Sequence, residues 1–248
     1  MTTRSLFARA TFVAAGCALC LKVWPAAAQP ADFSGLYFPY RGRTVAPQPP
    51  EYTPAAKQAF EEYQAAFGID DDPGRYCIWP GIPRAIWGVS FAIEIQQRAQ
   101  DVTIYWEGYG MYRKIYMADH DAPQPILPSA MGHSVAHWEG STLVIETTHL
   151  RPYPYMTRMA TSSDAHVVER MRVEEREVEG QKGKFIVNEV VVSDPKVYTT
   201  PIKITATLQE RRDAQLLEYT CSDTLWDEYL SERGLVLPDL DALPEPQG

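Results

Sequence analysis

The residues that decide the fold are 91–106, Phe-Ala-Ile-Glu-Ile-Gln-Gln-Arg-Ala-Gln-Asp-Val-Thr-Ile-Tyr-Trp. Phe91, Ile93 and Ile95 alternate with Ala92, Glu94 and Gln96. A turn at Arg98-Ala99-Gln100 follows, and Val102, Ile104 and Trp106 resume the alternation. A period of two places alternate side chains on opposite faces, which is the signature of a half-buried strand. The same period recurs on the C-terminal side. Residues 113–117 read as a short strand, and Pro123, Pro125 and Pro128 then forbid a ladder, since proline has no donor. Residues 133–138 and 142–148 flank Glu139-Gly140-Ser141, a hairpin signal. Residues 167–178 and 184–193 flank a second turn at 180–183. Residues 200–210 and 215–221 flank a third at 211–214.

On the N-terminal side, residues 32–40 read as a first short strand. Residues 41–54, rich in proline and basic side chains, read as a surface loop. Thr53 suits a helix cap, Pro54 the first helical position and Gly68 the stop, with Phe60, Tyr63 and Phe67 on one face. Ser222 or Asp223 can cap a short final helix ending near Gly234. No strand–helix–strand rhythm appears, so a parallel sheet is disfavoured. The pattern predicts a mainly β chain, a single antiparallel barrel of lipocalin-like type with about eight to ten strands, an N-terminal helix and a short C-terminal helix. A bent sheet or sandwich is the alternative. The expected organisation is a signal peptide over 1–28, a strand, loop and helix packing on the barrel over 29–87, the barrel over 88–235 and a flexible tail over 236–248.

Residues 1–28 read as an export signal. Arg4 and Arg9 precede an apolar core at 12–21, and Ala26-Ala27-Ala28 supplies small residues for cleavage before Gln29. Two other readings are a buried N-terminal helix and a lipoprotein signal ending at Cys17, although Ala14 sits where a larger aliphatic residue is usual. The expected location is therefore periplasmic or secreted, with a lipid anchor at Cys17 as the alternative. Cys17 and Cys20 lie in the signal, so Cys77 and Cys221 remain. In an oxidising compartment that pair suits a disulfide, with two buried thiols as the alternative.

The chain of 248 residues carries 23 basic and 32 acidic side chains, a net charge of −9. That balance argues against nucleic acid and anionic lipid as partners. No apolar run reaches the roughly 18–20 residues of a membrane span. No phosphate loop, dinucleotide fingerprint, nucleophile elbow or zinc signature occurs, so no cofactor is expected. Oligomeric state is not legible.

The residues that could carry chemistry are few. Arg84 ends the stiff stretch Cys77-Ile78-Trp79-Pro80-Gly81-Ile82-Pro83-Arg84. It could clamp an oxyanion, or close the barrel end by bonding carbonyls or a buried acid. His133 opens a strand after the proline-rich loop and suits a general base near neutral pH, or a ring bonding a loop carbonyl. His133 and His137 could share a metal only with a third ligand such as Glu146, His149 or His166, and nothing local supplies it, so no metal is expected. Glu94, Glu107, Glu146, Glu169 and Glu189 interrupt apolar strands, and any that faces a lumen must be paired or shift its pKa. Arg113, Arg170 and Arg172 are the available partners. Tyr105, Trp106, Tyr109, Tyr112 and Tyr116 cluster, and with Arg113 and Trp138 they suit a flat apolar ligand bearing a few polar groups.

Several of these pieces also form a set: Arg75-Tyr76-Cys77 with Pro80-Gly81-Ile82-Pro83-Arg84, Arg113-Lys114-Ile115-Tyr116, and Gly132-His133-Ser134 with Trp138-Glu139-Gly140. Thr142-Leu143-Val144-Ile145-Glu146-Thr147, Glu169-Arg170, Asp194-Pro195 and Tyr219-Thr220-Cys221 complete it. With this set, residues 72–221 resemble a family of exported bacterial β-rich proteins that has no assigned activity. The chain departs from that pattern at His120-Asp121, where a Gly-Arg-type turn is usual. The resemblance implies an exported β domain and no reaction.

Two functions are compatible with these residues. One is an exported protein that binds a hydrophobic small molecule, aromatic or polycyclic, in a barrel cavity. The other is a cofactor-independent isomerase, lyase or hydratase in the same cavity, with His133 as base, Glu94 or Glu107 orienting it and Arg84 stabilising an oxyanion.

Overall fold

The computed structural model describes residues 30–40, 49–68, 71–87, 91–154, 159–178, 181–217, 219 and 224–244. Residues 1–29, and with them the expected export signal, lie outside the described residues, as does Cys221. Nine strands form a closed barrel: β1 (Gly35–Pro39), β2 (Ile93–Gln97), β3 (Asp101–Trp106), β4 (Met111–Met117), β5 (His133–Glu139), β6 (Thr142–Thr148), β7 (His166–Val178), β8 (Gln181–Ser193) and β9 (Ile202–Glu210). The chain is mainly β, as the alternation predicts. Three helices accompany the barrel: α1 (Pro54–Ala66), α2 (Arg84–Trp87) and α3 (Thr224–Arg233). No described helix is long and apolar enough to cross a membrane.

Each strand pairs with its sequence neighbour, and β9 closes the wall on β1 through Tyr37↔Glu210, Phe38↔Gln209 and Pro39↔Leu208. The first strand is therefore part of the barrel wall and not a preliminary element packed on it. An odd number of strands cannot close with strand direction alternating throughout. The one parallel step falls at β4–β5, where Ile115, Tyr116 and Met117 face Ser134, Val135 and Ala136. This corrects the expectation of a wholly antiparallel barrel. Its cause is the segment 118–132. A short hairpin turn there would bring β5 back antiparallel; instead this long proline-bearing connection returns the chain so that β5 enters beside the middle of β4 and runs parallel to it.

The strand expected at 215–221 does not appear among the described residues of that segment: Gln215, Leu216, Leu217 and Tyr219 are irregular. With β1 already paired to β9, the barrel has no free edge for a tenth strand. Leu217 is instead held by its N–H, which donates to Glu107 Oε2 (2.8 Å). The tail expected to be loose is docked as far as Leu243. Leu240 is fully buried, and Asp241 Oδ1 accepts from the N–H (2.8 Å) and hydroxyl (2.7 Å) of Ser163.

α1 forms where its signals stand. Thr53 Oγ1 caps the Ala56 N–H at 3.2 Å, and Pro54 begins the helix. Its buried stripe is Ala56, Ala59 and Tyr63, with Phe67 just beyond the end. Phe60 is half-buried and stacks on Tyr52.

Candidate functional site

Two sets of side chains result from the alternation of β4 and β5, one on each side of the barrel wall. Arg113, Ile115 and Met117 of β4 and Ser134 and Ala136 of β5 point inward and are buried. Tyr112, Lys114 and Tyr116 of β4, and His133 of β5, point outward.

Inside the lumen is a polar cluster. The Arg113 guanidinium, 1% exposed, donates to Glu169 Oε1 (2.6 Å), Thr147 Oγ1 (2.7 Å) and Ser134 Oγ (3.0 Å). Asn188 Nδ2 donates to Glu169 Oε2 (2.7 Å), and the hydroxyls of Ser134 and Thr147 lie 3.0 Å apart. Burying two charges is costly unless they pair and their other hydrogen-bonding groups are satisfied, and four neighbouring strands supply those partners here. Sequence reasoning named Arg113 and Glu169 but missed Ser134, Thr147 and Asn188. The readable signal was a polar residue at an inward position of an apolar alternation, as at Thr147 after Leu143 and Ile145. The lumen cavity beside the cluster measures about 30 Å³ and is lined by Ile86, Trp106, Arg113, Glu169, Asn188 and apolar side chains of β2, β3, β7 and β9. That is room for about one or two waters, not for a polycyclic molecule.

Outside the wall, the crossing segment arches over β4 and leaves a groove of about 450 Å³. Tyr112, Lys114 and Tyr116 form its floor, His133 and Met131 one end, and Pro123, Pro125, Ile126 and Leu127 its outer side. Its volume lies in the range of small-molecule sites. Tyr112 and Leu127 are 61% and 71% exposed, so apolar surface remains open at its mouth. The Tyr116 ring stacks on His133 (centroids 5.7 Å apart, planes at 26°), and the His149 ring meets His133 edge-on at 6.3 Å. Burial, and then the nearby His149, hold the His133 imidazole below its ordinary pKa of 6.5. Near neutral pH the ring is therefore uncharged, with one nitrogen to donate and one to accept. The Lys114 ammonium is neutralised by Asp101 at 2.8 Å.

The structure brings His133 and Tyr116 together and separates them from the other expected site residues. Arg84 lies away from the groove in a bidentate pair with Asp72 (3.0 and 3.1 Å), and it donates to the Tyr153 hydroxyl (2.9 Å). Glu94 is on the outer wall, where its Oε1 accepts from Gln96 (3.1 Å), and Glu107 holds Leu217. Tyr105 is on the outer wall beside Tyr112, with ring centroids 6.1 Å apart. Trp106 is buried in the lumen wall. Tyr109, in a left-handed conformation at φ 66°, donates its hydroxyl to Gly74 O (2.8 Å). Trp138 is stacked on Phe33 at 5.8 Å. His137 sits by Glu139 and His166 by Glu146, each at 3.4 Å on the exposed surface.

No family model matches the sequence, and no curated protein matches it.

Proposed function

We propose that the chain is an exported protein that binds a flat, hydrophobic, aromatic small molecule, and that the molecule sits in the groove between the outer face of β4 and the segment 118–132. The observation that carries this reading is the contrast between the two cavities: about 450 Å³ in the aromatic groove against about 30 Å³ in the lumen. Tyr112 and Tyr116 offer ring faces, Ile126 and Leu127 cover the ligand, and the neutral imidazole of His133 offers one hydrogen bond. Binding is favoured over acid–base catalysis because no carboxylate lines this groove among the described residues to orient His133, and the ammonium of Lys114 in its floor is already paired with Asp101.

Titration with 1-anilinonaphthalene-8-sulfonate, followed by fluorescence, tests the groove. Tyr116→Ala is expected to weaken binding about fivefold to tenfold, the worth of one stacked ring. His133→Ala should weaken it by about 1 kcal/mol, the worth of one hydrogen bond. His137→Ala, on the same face of β5 but outside the groove, should leave it unchanged. Binding indifferent to both Tyr116 and His133 would remove the groove from consideration. A turnover that falls by about 10²–10⁴ in His133→Ala would favour catalysis instead.

The lowered pKa of His133 also sets a pH dependence. Its neutral form is the one favoured in the fold, so its contribution is present above pH 6.5 and is lost as the pH falls through a value lower than that. Affinity for an uncharged aromatic probe should accordingly hold from pH 8 to 6.5 and fall only in more acidic buffer.

Export and a Cys77–Cys221 disulfide belong to the same proposal. Intact-mass analysis of the protein recovered from a periplasmic fraction should give a chain beginning at Gln29 that takes up alkylating reagent only after reduction. Alkylation of both thiols without reduction would remove the disulfide, and a lipid-modified Cys17 would replace the soluble protein by an anchored one.

A further inference from the structure

We infer that the barrel lumen binds one ordered water molecule, held between the Trp106 indole N–H and the Asn188 side-chain oxygen beside the Arg113–Glu169 pair. This site is separate from the outer groove and does not depend on what the groove binds.

The orientation of Asn188 is dictated by its neighbour. An ionised carboxylate only accepts, so Nδ2 of Asn188 must face Glu169 Oε2, as it does at 2.7 Å. The amide oxygen then points the other way. It is buried and has no hydrogen-bond partner among the described residues, and Asn188 as a whole is 5% exposed. Trp106, 3% exposed, has its indole nitrogen in the same condition, and that group can only donate. The two residues that carry this acceptor and this donor line one cavity of about 30 Å³. Most buried polar groups in folded proteins find a partner. Water answers both needs at once, accepting from Trp106 and donating to Asn188. The cavity exceeds the roughly 10–15 Å³ that one water requires, and Arg113, whose Nη1 takes no part in the bonds to Glu169, Thr147 and Ser134, lies on the same cavity wall. Ile93, Ile95, Ile104, Met171 and Leu208, all buried, line the rest of the cavity.

Ala206 is the place to test this. It stands directly across from Asn188 in the β8–β9 ladder and lines the cavity. Ala206→Val would fill the space with methyl groups. Magnetic relaxation dispersion of the water ²H or ¹⁷O signal counts long-lived internal waters. The expected result is one fewer per molecule in Ala206→Val than in the unmodified protein, with a lower midpoint of thermal unfolding. The same count in both proteins, or a raised midpoint as when a dry void is filled, would overturn the inference. Should the variant fail to fold, a high-resolution crystal structure of the unmodified protein decides it. A density peak within hydrogen-bond distance of both Trp106 Nε1 and Asn188 Oδ1 supports the site, and no peak there overturns it.

Discussion

Replacing Glu169 by alanine is expected to destabilise the fold by about 3–5 kcal/mol, because it strands a charged guanidinium in the lumen. Arg113 is 1% exposed, and Glu169 Oε1 at 2.6 Å is its only carboxylate partner among the described residues. The same change takes the acceptor from Asn188 Nδ2. Urea unfolding at neutral pH measures the loss through the shift of the midpoint at constant slope. Removing both charges, with Arg113→Met and Glu169→Leu together, should recover most of it, since the double change also removes the desolvation cost of two ions. Ser134 and Thr147 would keep their bond to each other in that protein. A loss from Glu169→Ala alone of about 1 kcal/mol or less, the range of exposed pairs, would mean that water reaches the guanidinium and that the lumen is open.

Gly132→Ala is expected to cost about 2–4 kcal/mol, the sum of left-handed backbone strain and overpacking. Gly132 has φ +63°, and an added Cβ would lie 2.5 Å from Thr148 O and 2.8 Å from Thr147 Cγ2. Thr148 pairs with His133 in the β5–β6 ladder, so its carbonyl cannot yield without moving the strand. The residue also joins Met131 to His133, both of which line the groove, so binding of the fluorescent probe should fall where the variant is still folded. Gly140→Ala is the matched control. It has the same φ of +63° and nothing within 4 Å, so it should cost only the strain of about 1–2 kcal/mol. Equal losses from the two changes, read from the same unfolding curves, would show that crowding at Thr148 contributes nothing.

The site was legible in part. His133 and Tyr116 were both identifiable, one as a titratable ring after a stiff loop and the other as a member of an aromatic cluster. That they meet was not, because they belong to strands that pair in parallel across residues 118–132. Arg84 could be read two ways from its loop, and the structure pairs it with Asp72 at 3.0 Å, away from His133. Glu94 and Glu107 could not be assigned from their apolar surroundings. Alternation assigns a residue to one of two faces without saying which face is the lumen.

The sequence by itself determined the mainly β class and most of the strands. A period of two in 91–106, short turns such as Glu139-Gly140-Ser141, and the absence of strand–helix–strand rhythm are local properties, and local properties survive into the fold. Only the tertiary structure decided the number of strands, the parallel step and the side of the wall on which each group lies. Closure on β1 left no edge for residues 215–221, and an odd strand count required one parallel pair. Arg113 and Tyr116 stand three residues apart on β4, so they face opposite ways. One is paired with an acid in a nearly filled lumen and the other stacks on an imidazole in an open groove, because packing across the closed barrel chose which face is enclosed.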